Sequence, residues 1–459
     1  MFSEDTIIST ITPVRGGSVC LLRVSGKDAI NITCKYFKSN SLSNMEGGRF
    51  YFGKFVDDKN EVVDEVIIYV FKKPKSYTGE DVIEISCHSN IFILEEIINL
   101  YLNNNCRIAE PGEFTKRAFL NNKIDLVQAE AVADLIASKS KASVKNSLNL
   151  LEGKLSKLIN SLKKNLIDVG SLLELELDFS EEDLEIISRD KFFDIMESSI
   201  SIVNSLLDSY DSGRELQKGI EILIAGKPNV GKSSLMNSLL QKDRVIVSHI
   251  AGTTRDLIHE DIVMDDTLVR LIDTAGIRFT SDEIEAEGVT RAKKFLETAS
   301  LILLMIDLSS EIDNDDLDIL NSLVHKKSNS LIIVGNKSDK EANIKTEEYL
   351  SKLEIDKIKI SAKEETNISE LKRLIIRRIK RNEKDLSEDI ILTNKRQYDV
   401  LNRLKKILND NLKSFKSNQG FEFIAVDLRL AIETLSEITG EISTDDILNN
   451  IFSNFCIGK

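Results

Sequence analysis

Residues 220–240 read IEILIA, GKPNVGKS and SLMNSLL in succession: an apolar strand, a glycine loop and the start of a helix. Gly226, four residues, then Gly231-Lys232-Ser233 is the spacing of a phosphate-binding loop. In such a loop the backbone N–H groups and the following helix N-terminus face the phosphates, the lysine reaches the outer ones and the hydroxyl holds magnesium. Lys232 and Ser233 take those roles here, with Asn229, Val230 and Ser234 completing the lining. By itself the stretch specifies only a nucleotide.

Three later segments narrow it. LVRLID ends an apolar strand on Asp273, placed to hold magnesium through water; Thr274, Ala275 and Gly276 follow, the glycine free to approach a γ-phosphate. GNKSD follows the strand Leu331–Val334. Its Asp339 offers two acceptors to the N1–H and exocyclic amine of guanine, a donor pair that adenine lacks, and Asn336 and Lys337 complete the pocket. Ser361, Ala362 and Lys363, after the strand Ile358–Ile360, fit a loop that backs the base. Four elements in order, each at a strand end, make the nucleotide GTP.

Between the loop helix and Asp273 lies Ser248-His249-Ile250-Ala251-Gly252-Thr253-Thr254. A threonine there can bind magnesium and sense the γ-phosphate through its backbone, and Thr254 is the candidate. Directly after Gly276 stands Ile277, where Ras-like enzymes carry a water-orienting glutamine. An aliphatic side chain cannot orient water. The acidic residues that follow, Asp282, Glu283, Glu285 and Glu287, read either as a solvated switch surface or as the source of a water-bridging carboxylate.

The 459 residues are enough for about three domains. Acidic residues outnumber basic ones by 75 to 61, a formal charge of −14, so any nucleic-acid contact must be local. Cys20, Cys34, Cys87, Cys106 and Cys456 form no C-x-x-C pair, which argues against a disulfide framework or zinc site and for a reducing compartment. With neither a basic-then-apolar leader nor eighteen consecutive apolar residues, a cytoplasmic protein without a membrane span is expected.

Upstream, SVCLLRVSG, RFYFGKFV, VVDEVIIYVF and DVIEISC carry strand patterns and Ile91–Leu102 a helical one. His88 ends a strand with no second histidine near it, the usual sign of a structural residue. After Phe119 the texture turns helical. Leu148, Leu151, Leu155, Leu158 and Leu162, continued by Leu166 and Val169, alternate intervals of three and four and predict a seam within a helical bundle. The acidic stretch Asp178 to Glu185 fits a solvated connection or the cap of the next helix. Helical patterning resumes at Asn394–Ser414 and Phe421–Leu435. The expected architecture is multidomain: an N-terminal α+β domain (1–118), a discontinuous all-α helical domain (119–215 and 381–459), and an α/β P-loop GTPase domain (216–380) inserted into it.

The segments LLRVSG, SYTGEDVIEI, PGEFTKRAFLNNKIDLVQAEAVADLI, GKPNVGKSSLMN, IAGTTRD, DTAGIR, LSEITGEISTDDIL and the terminal FCIGK together resemble the tRNA-modification GTPase family called MnmE or TrmE, over essentially the full length. The resemblance implies a homodimer with a folate-binding, dimerising N-terminal domain. It also implies an FAD-dependent partner enzyme, joined in a heterotetramer, with which such proteins add a (carboxymethyl)aminomethyl group to carbon 5 of the wobble uridine, position 34, of certain tRNAs. The one-carbon donor would be 5-formyl- or methylene-tetrahydrofolate. Matched residue by residue, the folate site would be Arg23, Glu80 and Lys123, with Lys459 near it; their charges suit an anionic glutamate tail and a pterin ring. Cys456 is open to a thiol role or to helix-end packing. Asn229, with Ser248, Ile250 and Thr253, would hold potassium where other GTPases receive an arginine, and Glu285 would orient the water. A GTPase acting as an RNA or ribosome assembly factor is the alternative, but it would require an appended RNA module, and no G-x-x-G loop on a basic domain follows Lys363.

Overall fold

The computed structural model describes residues 5–14, 17–39, 45–178, 189–243, 259–273, 299–327, 330–382, 390–417, 420–442, 445–453, 455 and 458. The chain divides into two compact units. One comprises Met1–Ala133, Leu150–Met196 and Lys406–Lys459; the other, Asp134–Asn149 and Glu197–Lys405. Among the described residues no helix is long and apolar enough to cross a membrane.

The N-terminal α+β domain runs β1 (Thr6–Thr10), β2 (Val19–Ser25), α1 (Ala29–Tyr36), β3 (Phe37–Lys38), β4 (Arg49–Val56), β5 (Val62–Phe71), β6 (Val82–His88), α2 (Ile91–Leu102), β7 (Cys106–Ile108) and α3 (Glu113–Leu120). Its sheet has the order β3-β4-β5-β6-β2-β1-β7, antiparallel except for the β1–β7 pair. One face is buried: Leu22, Val24, Ile68, Val70, Ile83 and Ile85 meet Ile32 and Tyr36 of α1 and Leu94, Ile97 and Tyr101 of α2. The period-two alternation of β5 follows, because its odd-numbered residues point the other way. His88 is a structural residue in the sense expected, its Nδ1 2.8 Å from the buried Asp64 carboxylate.

The all-α elements are α4 (Leu126–Ala137), α5 (Lys141–Leu151), α6 (Lys154–Asp178), α7 (Arg189–Asp208), α8 (Tyr210–Lys218) and, beyond the inserted domain, α13 (Lys395–Lys416), α14 (Phe421–Thr439) and α15 (Asp445–Ser453). The leucine seam differs from its reading. The helix breaks at Glu152-Gly153, where Gly153 takes φ +77°, and Leu148 on the near side is exposed. Beyond the break the buried stripe is Leu155, Ile159, Leu162, Leu166, Val169 and Leu173, with Ile159 in the place expected for Leu158. Leucine spacing alone carries neither the β-branched residue nor the left-handed glycine that ends a helix. The stripe packs against α14, and Glu174–Arg429 and Lys163–Glu441 bridge the pair at its edges. Of the acidic stretch from Asp178 to Glu185, everything after Asp178 lies outside the described residues.

The inserted α/β domain runs β8 (Ile220–Ala225), α9 (Lys232–Asp243), β9 (His259–Met264), β10 (Thr267–Asp273), β11 (Leu301–Asp307), α10 (Asn314–Lys327), β12 (Leu331–Asn336), α11 (Ile344–Ser351), β13 (Lys357–Lys359) and α12 (Ile368–Asn382). The sheet order is β13-β12-β11-β8-β10-β9, parallel except for β9. β8, β11 and β12 are buried nearly throughout, as central parallel strands covered on both faces must be. Successive residues feed opposite cores. Ile222, Ile224, Leu303 and Met305 pack with α9 and α12, while Leu223, Ile302, Leu304 and Ile306 pack with α10 and α11.

Candidate functional site

Strand order places the carboxyl ends of β8, β10, β11 and β12 side by side. Ile224 pairs with Asp273, Ala225 with Leu304, and Asp307 with Asn336, so every segment read as nucleotide-binding that leaves one of these strands leaves from the same edge. From β8 the loop passes through Asn229 at φ +64° and enters α9 at Lys232. Lys232 is buried, its Nζ donating to the carbonyls of Gly226 and Lys227 at 2.8 Å each. Lys232 opens α9, and Ser233 and Ser234 follow it in the first turn. A helix N-terminus and a ring of loop N–H groups at a strand end form an anion site.

Asn336 joins this loop to the rest of the site. It is 3% exposed; its Nδ2 donates to the Val230 carbonyl at 2.7 Å and its Oδ1 accepts from the Ala362 N–H at 2.9 Å. The approach is so close that a Cβ on Gly231 would sit 2.2 Å from Asn336 Nδ2, and Gly231 itself has φ +101°. Only glycine meets both conditions. Ser238 of α9 adds a second tie, donating to the Ala362 carbonyl at 2.8 Å.

Asp339 lies two residues beyond Lys337. Its Oδ1 accepts from the buried Ser361 hydroxyl at 2.5 Å, and that hydrogen bond holds the Asp339 carboxyl below the usual carboxylate range. Ionised at neutral pH, it keeps acceptor capacity for two N–H donors in the plane of a base. Lys337, at φ +64°, reaches Asp307 Oδ2 at 2.5 Å. Partial burial works against the Asp307 charge, but Lys337 and Ser309 outweigh it and the carboxyl stays low. Asp307 was not picked out in the sequence; its only signal is an acid at the end of an apolar strand.

Ser233 and Asp273 are oxygen-bearing residues at neighbouring element ends, a donor set suited to magnesium. Among the described residues no group of three or more His, Cys, Asp or Glu is arranged to hold a metal. Ser248, His249, Ile250, Ala251, Gly252, Thr253, Thr254, Thr274, Ala275, Gly276, Ile277 and Glu285 lie outside the described residues.

A second constellation forms around the N-terminal loop 74–81. The Arg23 guanidinium binds Glu84 at 2.8 Å and lies over the rings of Tyr77 (5.0 Å) and Phe114 (5.5 Å). Glu80 accepts from Ser25 Oγ at 2.7 Å and from Arg117 at 3.2 Å, and Lys123 Nζ donates to the Pro74 carbonyl at 2.9 Å. Arg23, Glu80 and Lys123, far apart in sequence, thus reach one loop. Gly458 lies against Thr10, whose neighbour Ser9 pairs with Arg23; Cys456 and Lys459 are outside the described residues. Arg117 was missed. It is buried, and although burial opposes its charge, Glu80, Glu113 and Asp5 hold the guanidinium protonated. The i,i+4 pair Glu113–Arg117 was its sequence signal. The exposed Tyr77 ring and the Glu80 carboxylate suit a flat heterocycle bearing N–H donors, whereas the Phe114 ring is fully buried beneath Arg23.

A phosphate loop tied through Asn336 to Ala362, beside the Ser361 that holds the Asp339 carboxylate, defines a class: the protein is a P-loop GTPase. The helical and N-terminal regions each match a family model. The one described as "MnmE helical domain" matches residues 126–456 and that described as "GTP-binding protein TrmE N-terminus" matches residues 6–123, so the chain belongs to the MnmE (TrmE) family. Relatives named "tRNA modification GTPase MnmE" match over the full length. That of Cytophaga hutchinsonii is 41% identical, covering 99% of this chain and 98% of its own. That of Christiangramia forsetii is 40% identical, covering 99% of both, and that of Aquifex aeolicus 40% identical, covering 99% and 100%.

Proposed function

We propose that this chain is the GTP-hydrolysing component of tRNA wobble-uridine modification, adding a (carboxymethyl)aminomethyl group at C5 together with an FAD-dependent partner and a reduced-folate one-carbon donor. The observation that carries this reading is the breadth of the family match. It runs through the N-terminal, helical and P-loop regions alike, with relatives named for tRNA modification, and is not confined to the P-loop segment that many GTPases share. The domains are taken as 1–118, 119–215 with 381–459, and 216–380. The protein works in the cytoplasm. The test is mass spectrometry of tRNA nucleosides from cells lacking the gene: the C5-substituted wobble uridine is expected to disappear, and an unchanged profile removes the tRNA role.

In the GTP site, Asn336, Lys337, Asp339, Ser361 and Ala362 take the base. Asn229 through Ser234, Ser248 through Thr254, and Asp273 through Gly276 surround the phosphates. Magnesium would be held by Ser233 and Thr254, and supplies charge neutralisation of the phosphate oxygens. Potassium would be held by Asn229, Ser248, Ile250 and Thr253, supplying the charge an arginine finger brings in other GTPases. Glu285 orients the attacking water, the role Ile277 cannot fill. Hydrolysis in potassium buffer is therefore expected to run at least about tenfold faster than in sodium buffer; equal rates would remove the cation from the mechanism and leave the GTPase intact.

Arg23, Glu80, Lys123 and Lys459 hold the folate, with the exposed Tyr77 offering a ring face, and Cys456 stands close to Lys459 in sequence as a thiol participant. The homodimer reading is supported by the open face of the N-terminal sheet, where Phe50 and Phe52 of β4 stay exposed, with Tyr69 opposite Phe50 and Ile67 opposite Phe52. A second exposed apolar stripe, Phe423, Val426 and Leu430 on α14, supports docking of the partner enzyme in a heterotetramer.

A further inference from the structure

The turn between α4 and α5, with its flanks from Asp134 to Asn149, makes three separate attachments within one compact unit. The first is to the segment leading into the P-loop domain: Asp134 accepts from Gln217 of α8, one residue before that helix ends. The second is to the segment leading out. Asp134 Oδ2 accepts from Thr393 Oγ1 at 3.1 Å, and the buried Asn146 exchanges two hydrogen bonds with the backbone of Ile391, at 3.1 and 3.2 Å. Leu392 N–H in turn donates to Ser209 at 3.1 Å, closing lead-in against lead-out.

The third attachment is to the sheet itself. Lys139 Nζ binds Asp261 Oδ2 at 2.7 Å; Asp261, on β9, is also bound by its cross-strand neighbour Arg270 at 2.9 Å. Lys141 approaches Asp266 in the β9–β10 turn at 3.2 Å. The Asp261 side chain is only 7% exposed, so this is not a solvent-screened surface pair. Its burial alone would discourage the charge, yet Arg270 and Lys139 hold the carboxyl below its usual range.

The β9–β10 pair is where both nucleotide-dependent segments attach. β9 begins five residues after Thr254, and β10 ends on Asp273. A mount fixed at lead-in and lead-out, and touching the strand pair through Lys139, registers movement of that pair relative to the rest of the domain. Along the chain the mount continues N-terminally into α4, a rod of about 18 Å for its 12 residues, which starts three residues after Lys123.

We propose that residues 134–149 are the mount through which the P-loop domain passes its nucleotide state to α4, and that Lys139 is the positioning residue of this link, acting through Asp261. The inference rests on the GTP and folate reading above. Reciprocity of coupled binding gives it a direct readout, the ratio of 5-formyltetrahydrofolate affinities with a non-hydrolysable GTP analogue and with GDP.

Calorimetry on the full-length protein is expected to give a ratio of about fivefold or more for the wild type, within the usual range of coupling. Lys139→Met should bring it to about one while leaving folate affinity with GDP unchanged. Lys139→Arg, which keeps the charge, should retain the wild-type ratio. The fold is protected in both variants because Arg270 still pairs Asp261. A wild-type ratio in Lys139→Met overturns the mount and leaves the GTP and folate reading standing. Loss of GDP affinity in Lys139→Met also overturns it, since the residue would then be structural. A wild-type protein that binds folate with a ratio of one removes the coupling, whereas no folate binding at all removes the folate reading and the mount with it.

Discussion

Asp339→Asn is expected to exchange the base that this protein accepts. In the wild type the carboxylate presents two acceptor oxygens, kept ionised by the Ser361 hydroxyl at 2.5 Å. Guanine supplies two N–H donors to them. The amide replaces one acceptor with an –NH2 group, which then faces the exocyclic amine, donor against donor. Losing one charge-assisted hydrogen bond at about 1.5–3 kcal/mol, and the charge behind the other, lowers GDP affinity by at least about tenfold, taking tenfold per 1.4 kcal/mol. Xanthine carries a carbonyl where guanine carries the amine, so XDP should bind the variant better than GDP does. The remaining Oδ1 can still accept from Ser361, and the fold should be unaffected. Competition between GDP and XDP for the variant reads this out; an unaltered preference for GDP would mean that the base is recognised elsewhere.

Much of this site was legible because its parts sit at strand ends with fixed local spacing. Gly226 to Ser233, Asp273, Asn336 to Asp339 and Ser361 were all placed by short-range pattern. What spacing cannot report is which side chains meet across long separations. Asn336 was read as part of the base pocket, and its sequence neighbours gave no sign that its amide also contacts backbone atoms of Val230 and Ala362, 106 and 26 residues away. Lys139 and Asp261 were invisible for the same reason, being ordinary charges in their own segments and separated by 122 residues. Arg117 appeared only as one letter of a family segment, although four acidic or hydroxylic side chains, Asp5, Glu80, Glu113 and Ser25, converge on it directly or through Glu80. The leucine seam failed more locally. Periodicity averages over a window and passes through Gly153, where a single left-handed residue separates two helices.

The tie made by Asn336 has the largest expected effect on stability. The Val230 carbonyl and the Ala362 N–H both belong to buried residues, and Asn336→Ala removes the partner of each without opening a path for bulk water. A buried polar group left unpaired costs about 1–3 kcal/mol, so the pair should destabilise the P-loop domain by about 2–4 kcal/mol once relaxation is allowed for. For a domain of this size that lowers its melting temperature by roughly 4–16 °C. The two loops also lose their common fixed point: Val230 belongs to the phosphate loop and Ala362 to the loop behind the base. Nucleotide binding should therefore fall for a reason distinct from that in Asp339→Asn. In Asp339→Asn the protein keeps its melting temperature and the deficit reverses with XDP. In Asn336→Ala both guanine and xanthine nucleotides should bind more weakly, and the protein should melt early even without nucleotide. Calorimetric melting of the nucleotide-free protein separates the two cases, and a wild-type transition in Asn336→Ala would mean that Ser238, through its own bond to Ala362, is sufficient to hold the loops together.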